Sequence, residues 1–154
     1  MPVVMMRSPT CVSRPLPVGA RSLRSHVLRA YAPATSLSDL KAAPRQRLVA
    51  DVNGQAVLVV LWEDESVYAV SNKCPHLNLS LVGTTELMQA EVKDKCVICP
   101  AHKTAFDLET GEVKGEWCPG MPDIPFVGKI NNDAKPLAVF ASRVTDDGVV
   151  EVDV

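Results

Sequence analysis

The chain lacks any apolar run long enough to cross a bilayer: the longest, Ala56 to Trp62, has seven residues, where a membrane helix needs about 20. A soluble protein is therefore expected. It has no glycine-rich nucleotide loop and no internal repeat, and aromatic residues make up only 5% of its composition. Apolar and charged shares of 47% and 22% are ordinary for a globular protein. At 154 residues there is length for one domain with a core, and too little for two of usual size.

Acid is missing altogether from residues 1–36, which carry Arg7, Arg14, Arg21, Arg24 and Arg29. The remainder holds 11 Lys and Arg against 18 Asp and Glu, so a head of +5 precedes a body of −7. An Arg-rich, Ser-containing, acid-free leader is the composition of an organelle-import peptide. Val3 to Met6 is too short an apolar patch for a secretory signal, for which about 7–15 residues are needed. Evenly spread arginines do not make the dense basic arm of a nucleic-acid binder. Pro2, Pro9, Pro15 and Pro17 would break the amphipathic helix of a mitochondrial presequence, so a chloroplast transit peptide over residues 1–35 is expected. Cleavage is expected near Ala30 to Ala32, with the stroma as destination and the thylakoid surface or the mitochondrion behind it.

The body reads as short strands with hairpin turns. "SLSDLKAA" at 36–43 is one helical turn, capped by Ser36 or Ser38 and closed by Pro44. "RLVADV" and "QAVLVVLW" flank Asn53-Gly54, the pair favoured in a two-residue hairpin, and the seven apolar residues of the second predict burial on both faces. "VYAVS" follows, then an irregular stretch over 77–90, then "AEVKDKCVI" as one strand. "TAFDL" and "EVKGEW" predict a hairpin around Gly111, in the left-handed position of a bulged turn. Residues 117–135, rich in Pro and Gly, predict a long structured loop. "PLAVFASRV" and "GVVEVDV" form the last hairpin across Asp147-Gly148. The fold class expected is all-β, a small barrel or sandwich built from antiparallel sheets.

Two stretches do not look like ordinary core or loop. "NKCPHLNLSLV" holds Cys74-Pro75-His76, and "KCVICPAHKTAFDL" holds Cys99-Pro100-Ala101-His102, with 22 residues between His76 and Cys99. Cys beside His in an intracellular chain points to metal or redox chemistry rather than a disulfide framework. Zinc usually groups cysteines in one knuckle and histidines in another. Here each loop supplies one of each, which suits a two-metal cluster with both Cys on one iron and both His on the other. Zinc remains the competing occupant of the same donors.

With C-x-H and C-x-x-H in loops of an all-β body, residues 36–154 resemble the Rieske [2Fe-2S] ferredoxins, as do "LSDLKAAPRQRLVADVNGQAVLVVLWEDESVYAVSNKCPH" and "FDLETGEV". The resemblance implies one [2Fe-2S] cluster per chain, with Cys74 and Cys99 on the inner iron and His76 and His102 on the outer. It implies a one-electron carrier between a reductase and an acceptor. The acidic body would suit a partner with a basic docking face. Alternatives are an assembly or redox-regulatory subunit of a photosynthetic membrane complex, or a nitrite-reductase-like small subunit. A Rieske oxygenase needs a large additional domain for which there is no room.

Departures from the family pattern sharpen the expectation. Ala101 and the Leu77 to Leu79 stretch supply no second pair of cysteines, so the disulfide joining the loops in cytochrome-complex members is absent. Where those members have Gly-Ser-x-Tyr, this chain has Lys103-Thr104-Ala105-Phe106. Thr104 is expected to keep a hydroxyl near the cluster and Phe106 to have lost one, which lowers the potential, while the Lys103 cation raises it. Pro75 and Pro100 shape the two turns. Cys96 and Cys118 are left over, as small buried hydrophobes or as a thiol–disulfide pair.

Overall fold

The computed structural model describes residues 30–63, 65–122 and 133–154. Two antiparallel sheets account for nearly all of its regular structure, in keeping with the all-β expectation. Strand β1 (Tyr31–Ser36) is followed by α1 (Leu37–Ala42) and a 3-10 turn over Pro44–Gln46. Next come β2 (Arg47–Val52), β3 (Gln55–Leu61), β4 (Val67–Ser71), β5 (Glu91–Lys93), β6 (Cys96–Ile98), β7 (Ala105–Asp107) and β8 (Val113–Lys114). The last hairpin is β9 (Val139–Val144) and β10 (Val149–Asp153). The large sheet has the order β1-β10-β9-β4-β3-β2, and β1 comes back alongside β2, so it is a nearly closed barrel. The small sheet, β5-β6-β7-β8, carries the second Cys-His loop.

β3 explains how the two sheets share one molecule. Its side chains alternate in direction: Val57, Val59 and Leu61 point into the barrel with Ala50, Val52, Val150 and Val152, while Leu58 and Val60 meet Val97, Phe106 and Leu108 of the small sheet. Both faces are buried, as the unbroken apolar run requires. Leu40 of α1 is fully buried in the barrel group, a contribution of about 1.5–3 kcal/mol. The helix that presents it starts on Ser36, whose Oγ accepts the Asp39 N–H at 3.0 Å. Such a cap is worth about 1 kcal/mol. Cys74 and Cys99 belong to the other group, between the sheets.

Two expectations need correction. The body begins at Tyr31 rather than Ser36, because β1 pairs with β10 from Tyr31↔Asp153 onward; residues 31–35 are therefore part of the sheet. "AEVKDKCVI" is a hairpin rather than one strand: Asp94 and Lys95 both have positive φ (50° and 57°), the backbone of a tight two-residue turn, and Glu91 pairs with Ile98. Residues 77–90 are irregular, as expected, and are stitched by Gly83 N–H to Met88 O at 2.7 Å and by the isolated bridges Lys73↔Ser80 and Val82↔Gln89. Most of the leader, and 123–132 of the Pro/Gly-rich loop, lie outside the described residues. Among those described, no helix is long and apolar enough to cross a membrane.

Candidate metal centre

The two Cys-His loops are built on one backbone plan. In the first, the Cys74 N–H donates to Leu79 O (2.8 Å) and the Asn78 N–H donates to Cys74 O (2.9 Å). In the second, the Cys99 N–H donates to Thr104 O (2.8 Å) and the Lys103 N–H donates to Cys99 O (3.0 Å). Both loops place Pro directly after Cys, where the ring presets φ, and both pass through a left-handed residue four positions after it, Asn78 (56°) and Lys103 (62°). This repeat lies in hydrogen bonds and dihedrals. It was hidden in the sequence because His stands two residues after Cys in one loop and three in the other.

These loops sort the donors by element. Cys74 and Cys99 are buried and share a hydrogen bond between their sulfurs. The Cys99 thiol is lowered to about 6, first by the bond from Cys74 and further by the N–H groups of His102 and Ala101. Cys74 is pushed up, first by that same bond and then by burial, against a His76 N–H aimed at its sulfur. The pair thus loses one proton readily and holds the second, as two thiolates in one buried site would repel. His76 Nδ1 and His102 Nδ1 likewise form a pair, 3.1 Å apart, with rings at 81°. Two sulfurs and two nitrogens, grouped like with like, fit a two-iron centre with thiolates on one metal and imidazoles on the other.

The surrounding side chains only partly match expectation. Thr104 does not turn its hydroxyl to a ligand sulfur: its Oγ1 donates to Cys118 Sγ (3.4 Å) and accepts the Cys118 N–H (3.0 Å). Phe106 is fully buried beneath the centre, edge-on to Trp117 at 6.3 Å between centroids. Trp117 in turn stands edge-on to His76 at 5.5 Å. Pro75 and Pro100 are half-buried, and Lys103 is exposed.

Cys118 has a larger place than a small hydrophobe. Its sulfur lies with the ligand atoms of His76 and His102 in a group spanning no more than 4.8 Å. Cys96 and Cys118 are both free thiols, and each has its own neighbours. Cys96 faces Asp107 across the ladder, whereas Cys118 is tied to Thr104, three residues along, or about 10 Å of strand. Burial, and then Asp107, push the Cys96 thiol up.

Three residues escaped sequence reasoning. Asn72 is buried and clamps Val82 from both sides, Nδ2 to Val82 O and Val82 N–H to Oδ1, each at 2.9 Å. That bond pair holds the first loop's entrance and exit together. Gly120 donates its N–H to His102 O at 3.0 Å, and a Cβ there would sit 3.3 Å from the His102 carbonyl. Trp117, Cys118 and Gly120 are thus one lid segment packed on the second loop. Only the Trp-Cys-Pro-Gly cluster of rare residues could have drawn attention to it.

The model of the family described as Rieske-like [2Fe-2S] domain matches residues 30–153. The anthranilate 1,2-dioxygenase ferredoxin subunit of Burkholderia cepacia is 30% identical over 105 residues, 68% of this chain and 77% of that protein. Among solved structures, the ferredoxin of carbazole 1,9a-dioxygenase from Nocardioides aromaticivorans matches with a TM-score of 0.57 at 23% identity, covering 79% of this chain and 95% of its own. A structure of the reduced complex between oxygenase and ferredoxin in carbazole 1,9a-dioxygenase matches at 0.57 and 14% identity, covering 81% of this chain and 28% of that one.

Proposed function

Because this chain belongs to the Rieske-like [2Fe-2S] domain family, whose cofactor is a [2Fe-2S] cluster, we propose that Cys74 and Cys99 hold one iron and His76 and His102 the other, in a soluble one-electron carrier. The observation that carries this reading is the sorting of donors, a sulfur pair joined by a hydrogen bond and an Nδ1 pair 3.1 Å apart. When bound, the cluster supplies a one-electron couple, at a potential that imidazole ligation raises into a range of about −150 to +300 mV.

The chain's own residues divide the remaining work. Core packing around Cys74 and Cys99 excludes water from the thiolate side, while half-buried His102 offers the route by which an electron leaves or enters. Beside His76, Leu77 is 46% exposed and Leu79 40%, so a partner could desolvate that rim on apolar contact. N–H groups of His76, Ala101 and His102 already face the sulfurs and cost no reorganisation when charge changes. Phe106 offers no hydroxyl, and Thr104 spends its own on Cys118, which supports a potential below that of cytochrome-complex members.

The partners in this proposal are an electron-donating reductase and an oxidoreductase acceptor, one of them with a basic docking face to suit the body charge of −7. A plastid stroma is the proposed compartment, on the acid-free leader; a fluorescent fusion of residues 1–35 that stayed in the cytosol would end that part. The central test is EPR and visible absorption of anaerobically isolated protein. A rhombic reduced signal of low average g is expected, lost in Cys74→Ser and in His102→Ala. A chain holding stoichiometric zinc and no iron would refute the reading.

A further inference from the structure

Away from the four ligands, cations of this acidic body gather on one concave surface. Arg45, Arg47 and Lys103, together with Val92, Ile98 and Pro100, line a cleft of about 420 Å³. Pro100 and Lys103 bracket Ala101 and His102, so the cleft borders the second ligand loop. Arg47 is only 6% exposed, and its Nη1 donates to Ala90 O, one of five N–H donors on the guanidinium. Its charge is disfavoured by burial and then by the adjacent Arg45. Among the described residues, no carboxylate makes an ion pair with Arg45, Arg47 or Lys103. Gln89, also in the lining, turns its amide N–H groups to Gly83 O and Thr85 O.

The backbone is unusual at the same place. Arg45 (57°), Gln46 (53°) and Lys103 (62°) all have left-handed φ, a conformation that residues with a Cβ avoid. Arg45 and Arg47 repel each other with no carboxylate in ion-pair contact, an arrangement that an anion would relieve. The one acid of the lining is exposed Glu91; Glu86 lines an adjoining hollow beside Arg45 and Arg47.

We propose that this cleft binds a small free oxyanion, a di- or tricarboxylate or a phosphate ester, against Arg45, Arg47 and Lys103. Its volume falls in the range of about 300–1,000 Å³ usual for small-molecule sites. Arginine forks accept carboxylate or phosphate oxygens two at a time, and three cations against Glu91 leave positive charge for a multivalent ligand. An anion beside Lys103 adds negative charge next to His102. It therefore binds the oxidised protein more tightly than the reduced one, and by linkage lowers the reduction potential. This redox consequence rests on the cluster reading above; the binding itself does not.

Citrate and inorganic phosphate are titrated calorimetrically into cluster-loaded protein at fixed ionic strength. Saturable binding of citrate at one site is expected. Arg45→Gln and Lys103→Gln should each weaken it about tenfold or more, the loss of a charged hydrogen bond, and Glu91→Gln should tighten it. All three positions are exposed, and far-UV dichroism checks that the variants keep the fold. No saturable binding of either anion at millimolar concentration, or equal citrate binding by wild type and Arg45→Gln, overturns the proposal. Binding of poly-glutamate without binding of citrate overturns it as well, since the site would then serve a protein carboxylate. A citrate-dependent fall in potential, abolished by Arg45→Gln, supports the coupling; binding with an unmoved potential overturns it. Citrate binding by a chain with no iron–sulfur signal would instead fail the reading of the centre.

Discussion

Thr104 and Cys118 hold each other by two hydrogen bonds, the threonine hydroxyl donating to Sγ at 3.4 Å and accepting the cysteine N–H at 3.0 Å. The hydroxyl that the sequence offered to the cluster is thus spent on the segment covering it. Thr104→Val keeps the shape and removes both bonds inside a buried site, at a cost of about 1–3 kcal/mol. Chemical denaturation should register that loss, with the reduction potential close to wild type. A large fall in potential at unchanged stability would mean that the hydroxyl serves the cluster after all.

Lys103 holds a left-handed φ of 62° in a loop whose twin uses Asn78 at 56°. Asparagine tolerates that conformation better than lysine. Lys103→Gly should stabilise the protein by about 0.5–1 kcal/mol, and Asn78→Gly by less. Thermal midpoints of the two variants give the comparison, and a destabilised Lys103→Gly would show that the side chain has a binding role in the loaded protein.

Gly111 occupies φ +75°, and a Cβ on it would lie 2.0 Å from Leu137 O, while the Leu137 N–H donates to Gly111 O at 2.8 Å. Gly111→Ala must therefore push the β7–β8 hairpin off the segment leading to β9. A loss of at least about 2 kcal/mol is expected from urea unfolding. Gly148→Ala, with φ +77° but open space around it, should lose only about 1 kcal/mol.

Asp107 shapes the same hairpin, its Oδ1 accepting the N–H groups of Glu109 (2.8 Å) and Thr110 (3.0 Å). The Thr110 bond comes first among the causes that hold its carboxyl below the usual aspartate range, with Glu109 and Lys114 adding to it against burial. A lowered folded value means that its stabilisation is complete above the unfolded value of about 3.9. It fades as pH falls from there through the folded value. Unfolding free energy followed downward from pH 5 should drop less steeply in Asp107→Asn than in wild type. Parallel curves would contradict the assignment.

Much of this was legible in residue order, and the failures share a cause. The run at 56–62 announced a strand buried on both faces, and Asn53-Gly54 announced the turn before it, because strand alternation and turn chemistry are local. The Cys-His pairs announced themselves because no ordinary core needs them together twice. Asp94-Lys95 went unread as a turn, since neither residue advertises positive φ. Cys118 went unread as a neighbour of the histidines because nothing near it in sequence is a ligand. Its position depends on Gly120 docking on the His102 carbonyl, a contact between segments far apart along the chain.

By itself the sequence determined an all-β body, two loops able to bring one cysteine and one histidine each, and an excess of acid over base outside the leader. Those follow from side-chain type and short-range spacing, which act within a few residues. Only the tertiary structure decided that the two loops share one backbone plan, that Cys74 pairs with Cys99 and His76 with His102, and that the Cys118 sulfur joins the histidines. The tie from Thr104 to Cys118 and the gathering of Arg45, Arg47 and Lys103 on one cleft are likewise products of the fold. Each of these depends on how β5–β8 pack against the barrel, and long-range packing is set by the whole core at once.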